Sequence, residues 1–305
     1  MSIKPMSSAM ERRHAATTEI DTLSTHDMLA MINREDKQVT DAIAACLPDI
    51  TRLVDNATAT LSRGGRVILA GAGASGRAAV LTAGEFAPDN KHSLMALIAG
   101  GMQSMVQTSE QAASDYDRGV KDLETIAFSN NDMLIGLSVS GKTPWVWGAL
   151  RQAWSLGARV AIITQDASSE AAQLADIAIV PNTGPEVVAG FNNPKAHLAQ
   201  KQILTMLTTG IAIRSGRVFS NLRVDVPAST LRWQERQIAI VMEVAGCPRT
   251  QAKVALANSN NHCRTAILSI MSGLDAWRSR ELLSDNNDNL RLALQEAMQP
   301  HLNRA

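Results

Sequence analysis

Aromatic residues are scarce in this chain of 305 residues, at 3%, so there is little from which to build a base-stacking surface, and nucleic acid is not an expected partner. Nor does charge of either sign dominate. Lys plus Arg and Asp plus Glu both total 29, for a formal net charge of zero, so no overall field favours a phosphate backbone or an anionic membrane surface. Cysteine is sparse: Cys46, Cys247 and Cys263 are far apart, odd in number and form no CxxC pair, which fits a reducing cytoplasm. Long apolar runs are missing too. Nothing approaches the roughly 20 residues of a membrane span, and Met1 to Met10 carries one Lys but no apolar segment, so neither secretion nor anchoring is expected. A discrete small ligand is the better expectation. The length suffices for one large α/β domain and an appendage, since domains commonly run to about 100–200 residues.

Three segments follow from the patterning. Residues 1–63 read as N-terminal helices, with Ser24 and Thr25 as N-cap candidates before His26 to Arg34, a longer amphipathic run from Asp36, and a restart at Pro48. Residues 64–226 alternate short apolar strands with helices. The strands expected are Arg66 to Ala70, Leu94 to Ala99, Met133 to Val139, Val160 to Thr164 and Ile177 to Val180, with helices near 74–87, 115–127, 144–156 and 168–175. That alternation predicts a parallel sheet covered by helices on both faces. A long apolar helix is expected from Lys195 to Ser215, stopped by Gly216. Residues 227–305 carry no strand signal and read as a small helical appendage.

In open parallel sheets ligands bind beyond the carboxyl ends of the strands, which selects two loops. Gly71 to Arg77 (GAGASGR) follows one strand and opens a helix. Its small residues let backbone approach an anion, and the helix start offers unpaired N–H groups, so phosphate fits. The GxGxxG-like spacing alone would also suit a dinucleotide, but no acidic residue clearly ends the second strand to hold a ribose. A Walker A reading fails, because no Lys-Ser or Lys-Thr follows the glycines. Ser138 to Pro144 (SVSGKTP) again joins a strand to a helix and offers hydroxyls as a second anion cradle. Plain helix capping is the alternative for either loop. Glu85, Glu186 and Lys195 are further candidates, each of a type more often found as a solvated surface charge.

Taken together, these residues resemble the sugar isomerase (SIS) family, and within it the N-acetylmuramic acid 6-phosphate etherases and the related glucokinase regulatory protein. The resemblance rests on Gly71 to Arg77, Ala83-Gly84-Glu85, Leu97 to Gly101, Ser140 to Pro144, Gly184 to Val188 and Ser215 to Val218, and runs through nearly the whole chain. It implies a three-layer α/β sandwich around a mainly parallel five-stranded sheet, a small UBA-like helical tail, a cytoplasmic homodimer, and no metal or organic cofactor. For the etherases it implies elimination of D-lactate from the C3 ether of N-acetylmuramic acid 6-phosphate, giving N-acetylglucosamine 6-phosphate. Glu85 matches the family's proton donor. Ser75, Gly76, Ser138, Ser140, Gly141, Thr143, Glu186 and Lys195 are the expected substrate and phosphate contacts.

Three departures stand out. The family's second catalytic Glu falls at Ala113, and alanine cannot transfer a proton. Ala74 replaces a common Thr in the first loop, and in the stretch Asn192 to Leu198 an Arg is missing and His197 replaces a Gly. His197 could supply a base near neutral pH or could simply pack beside its helix. The losses leave a second reading open, a non-catalytic sugar-phosphate sensor acting on a protein partner in the manner of glucokinase regulatory protein. A third, an aldose–ketose phosphate isomerase, has less of the chain behind it.

Overall fold

A computed structural model describes residues 12–86, 93–190 and 193–299. The chain divides into two compact units, Met1–Thr208 and Thr209–Ala305.

The first unit begins with α1 (Thr25–Ala44), whose N-cap Ser24 accepts from the Asp27 amide at 3.2 Å, and α2 (Leu47–Ser62), which carries Pro48 in its first turn. The interruption expected before Asp36 is not there: the buried stripe Glu35, Val39, Ile43 runs through one helix at spacings of four. Gly64, at φ 79°, turns the chain out of α2, and a Cβ at Gly65 would stand 2.0 Å from the Asn131 carbonyl oxygen, so only glycine lets β1 approach β3 there.

Five strands follow: β1 (Val67–Gly71), β2 (Leu94–Ile98), β3 (Met133–Leu137), β4 (Arg159–Ile163) and β5 (Ile177–Ile179). They form one wholly parallel sheet in the order β2-β1-β3-β4-β5. Each expected strand is present, with ends shifted by one or two residues. Continuous burial explains their continuous apolar runs, since β1 and β3 are buried at every position. The register is pinned at the strand starts by Asp132, which accepts from the Arg66 backbone N–H, Nε and Nη2 at 2.9, 3.1 and 2.7 Å.

The crossover helices are α3 (Gly73–Phe86), a single turn α4 (Glu110–Ala113), α5 (Tyr116–Thr125), α6 (Pro144–Ser155) and α7 (Glu170–Leu174), and α8 (Pro194–Arg214) follows the last strand. Helices α5 and α6 meet backbone to backbone. A Cβ on Gly119 would lie 2.0 Å from the Trp145 carbonyl oxygen, and one on Gly148 would lie 2.2 Å from that of Tyr116. The same crossing buries Trp145 completely and gives its indole N–H to Asp122 at 3.0 Å.

The second unit starts inside α8. A two-stranded antiparallel pair, β6 (Val218–Phe219) and β7 (Leu222–Arg223), precedes helices α9 (Leu231–Ala245), α10 (Arg249–Asn258), α11 (Cys263–Ser272), α12 (Ala276–Asp285) and α13 (Leu290–Met298). These helices close on a core of their own that includes Ile240, Val241, Ala266, Ile267, Leu283 and Ala293.

Candidate functional site

The strand order reverses direction between β1 and β3, and such a reversal leaves a crevice at the carboxyl ends of the two strands. Both loops singled out in the sequence leave the sheet there, the first from β1 and the second from β3.

In the first loop the backbone folds back on itself. A Cβ at Gly76 would stand 2.6 Å from the Gly71 carbonyl oxygen, so part of the glycine requirement comes from closing the turn rather than from any ligand. Ser75 is buried, and its Oγ donates to Gln200 Oε1 on α8 at 2.9 Å. Arg77, on the next turn, donates from Nη1 to the Ser104 carbonyl at 3.3 Å and to Thr108 Oγ1 at 3.1 Å.

The second loop turns at Gly141, at φ 66°, where a Cβ would meet Ser169 Oγ at 2.2 Å. Ser138 and Thr143 share a hydrogen bond between their hydroxyls at 2.8 Å, and Ser140 Oγ accepts from the Lys142 amide at 3.2 Å. Thr143 is the N-cap residue of α6, yet its side chain makes no capping bond. The alternative of plain capping therefore fails for this loop. Three hydroxyls stand at the start of a helix of 12 residues whose first N–H groups take no side-chain oxygen, which is the disposition that suits an anion.

Glu186 and Lys195, whose residue types suggested solvated charges, are both buried, at 2% and 1% exposure. The Glu186 carboxylate caps α8, accepting from the amides of Lys195 at 3.1 Å and Ala196 at 3.2 Å. Burial raises its pKa, with those two amides pulling the other way. The Lys195 ammonium donates to Glu35 Oε2 at 3.1 Å and to the Pro185 carbonyl at 3.0 Å. Glu35 also meets His14 Nε2 at 3.0 Å and accepts from Gln38 at 3.1 Å. Burial pushes the Glu35 pKa up, but the bonds and charges of Lys195 and His14 outweigh it and hold the carboxyl below its usual value.

Glu85 lies near the end of α3, exposed, with Lys201 Nζ 2.6 Å from its Oε2. Ten residues of helix separate it from Ser75, roughly 15 Å of rise, so one chain does not bring the first loop and Glu85 together along α3. Ala113 is the last residue of α4, and the nearby Asp115 accepts from the Arg118 amide at 2.9 Å, which makes it the cap of α5. The sequence had left His197 between two roles. Its Nδ1 lies 3.3 Å from Gln200 Oε1, the oxygen that also accepts from Ser75. Burial lowers the imidazole pKa, the Gln200 bond opposing and the Arg77 charge assisting.

Gln200, Lys201 and Glu35 were not singled out in the sequence. A helix-spacing signal did exist for part of this group, because His197, Gln200 and Lys201 fall at i, i+3 and i+4 on one face of α8. Among the described residues no cluster of three or more His, Cys, Asp or Glu could hold a metal ion, and no helix is long and apolar enough to cross a membrane. A separate cleft of about 580 Å³ opens along β2, lined in part by Gly100, Ser109, Asp115, Arg118 and Asp122, and is not bounded by either loop.

The sheet is doubly wound and parallel with hydroxyl loops at its switch point, and the glucokinase regulatory protein N-terminal SIS domain family matches residues 49–154 of the chain. Curated relatives extend the match almost end to end. The N-acetylmuramic acid 6-phosphate etherase of Klebsiella aerogenes is 45% identical over 297 residues, 96% of this chain and 99% of the relative. That of Aeromonas hydrophila subsp. hydrophila is 45% identical over 94% of this chain and 97% of its own. The chain belongs to the N-acetylmuramic acid 6-phosphate etherase family. Among solved structures, a phosphoheptose isomerase from Francisella tularensis aligns with 62% of this chain and 98% of its own at 17% identity, with a TM-score of 0.49.

Proposed function

We infer that this protein is a carbon–oxygen lyase that removes D-lactate from the C3 ether of N-acetylmuramic acid 6-phosphate, leaving N-acetylglucosamine 6-phosphate. The observation that carries the reading is the pair of loops at the β1/β3 switch point, where the hydroxyls of the second are not spent on capping its helix. Nearly end-to-end likeness to named etherases supports the choice of substrate.

In this reading Ser75, Gly76, Ser138, Ser140, Gly141 and Thr143 surround the phosphate, with the starts of α3 and α6 adding backbone N–H groups. Glu186 and Lys195 act one step back, fixing the start of α8 against the crevice. The sugar opens at C1, the aldehyde makes the C2 proton acidic, and proton transfers alone drive loss of the lactyl group and addition of water. Glu85 protonates the departing lactate oxygen. Its distance from the first loop of its own chain favours a homodimer in which Glu85 serves the crevice of the second copy.

The test is D-lactate release from N-acetylmuramic acid 6-phosphate by the purified protein, and from the Glu85→Gln variant. Turnover by the wild type, reduced about 100-fold or more in the variant, is expected for loss of a general acid. Ala113 keeps one rival in play, a sensor that binds sugar phosphate without turning it over. Thermal stabilisation by N-acetylglucosamine 6-phosphate together with no lactate release would decide for the sensor.

A further inference from the structure

The proton chemistry above needs a base for the C2 proton as well as an acid for lactate. Four nearby carboxylates are already committed. Glu186 holds two amides of α8, Glu35 is shared by Lys195 and His14, Asp115 caps α5, and Asp166 takes Ser168 Oγ at 2.6 Å and Lys142 Nζ at 3.3 Å. Ala113 has no proton to exchange.

We propose that His197 is the proton-accepting residue of the site and that Gln200 orients it and contacts the ligand. With the Gln200 amide oriented so that Oε1 accepts from Ser75, the proton between it and His197 is assigned to Nδ1, which leaves the lone pair on Nε2. That nitrogen makes no hydrogen bond among the described residues, and the ring is half-buried rather than enclosed. The same Gln200 oxygen accepts from Ser75, which places the imidazole one side chain away from the phosphate loop.

In the same orientation Gln200 carries a second sign of a ligand. It is 1% exposed, its Oε1 has two neighbours, and its Nε2 has no partner among the described residues. A buried amide donor left unmade costs about 1–3 kcal/mol, so it stands ready for an acceptor that arrives with the substrate. Burial, assisted by the nearby Arg77 guanidinium on α3, also keeps the imidazole in its neutral form near pH 7, as a base requires. The other cation close by on its own helix is Lys201, engaged with Glu85.

The steps balance. His197 Nε2 takes the C2 proton of the open-chain aldehyde and the C2–H electrons move onto the C1 oxygen. They return to form C2=C3 as the C3–O bond breaks, and the lactate oxygen takes a proton from Glu85 of the second copy. Water then adds to C3, giving its proton back to Glu85, while His197 returns the first proton to C2.

This proposal rests on the etherase reading, and the experiment separates the two. D-lactate release is measured for the wild type, His197→Ala and His197→Gln, with N-acetylglucosamine 6-phosphate as the binding probe. His197→Ala should lose about 100-fold or more in kcat, keep the probe's stabilising effect, and regain turnover when imidazole is added. His197→Gln, which can still bond to Gln200 but cannot take a proton, should be equally inactive without depending on the alanine variant to fold. A kcat within twofold of wild type in either variant, or a raised KM at unchanged kcat, overturns the role of His197 while leaving the etherase reading intact. A wild type that releases no lactate overturns both.

Discussion

Two polar clusters occupy the first two turns of α8, and they differ in whether their hydrogen bonding is complete. At the start of the helix, Lys195 is enclosed, its ammonium meeting Glu35 and the Pro185 carbonyl while Glu186 takes two helix amides. Five residues on, Gln200 is equally buried, but among the described residues its Nε2 is unmatched and the second ring nitrogen of His197 beside it makes no hydrogen bond. A closed cluster holds structure, whereas an open one holds a place for something else. Buried position and polar type are the same in both; the count of satisfied atoms distinguishes them.

The largest effect should come from opening the closed cluster. Lys195→Met leaves the buried Glu35 carboxylate without its main partner and should cost about 3–5 kcal/mol of stability, read from denaturant unfolding. A loss below about 1 kcal/mol would mean that water reaches Glu35 and that the two clusters do not differ as drawn.

A smaller effect concerns acid. The folded-state pKa of Glu35 lies below its ordinary 4.5, so the unfolded chain binds more protons between the two values. Its contribution to stability is therefore complete above the unfolded value and is lost as pH falls through the folded one. Wild type should exceed Glu35→Gln in stability at pH 7, and the gap should close as pH falls below about 4.5. A gap that stayed constant down to acid pH would remove the Lys195–Glu35 pair as its source.

The sheet and both loops were legible in the sequence because their causes are local. Short apolar runs such as Val67 to Gly71 are buried at every position, and Gly141 is required by one turn with φ positive. The partners on α8 were not legible, because Ser75 and Gln200 are 125 residues apart and Glu35 and Lys195 are 160 apart. Residue type was misleading there: an isolated Lys or Glu suggests solvent, and only tertiary approach shows that Lys195 and Glu186 are enclosed. The β6–β7 pair escaped notice for another reason, since two residues per strand carry no periodicity.

The smallest expected change in stability belongs to the open cluster and is also its most discriminating test. Gln200→Leu leaves the buried Ser75 hydroxyl without its acceptor, which costs about 1–3 kcal/mol, but it also removes the unmatched Nε2 and its similar desolvation penalty. The two terms offset, so the net change should be within about 1 kcal/mol. Ligand binding should respond differently, because a hydrogen bond to a charged oxygen is worth about 1.5–3 kcal/mol, or tenfold and more in affinity. Titration of N-acetylglucosamine 6-phosphate against thermal unfolding would read both quantities from one sample. Stability and affinity falling together would make Gln200 another Lys195, a residue that holds the fold. Affinity falling alone would fix the boundary between structural and ligand-binding side chains on α8 between Lys195 and His197.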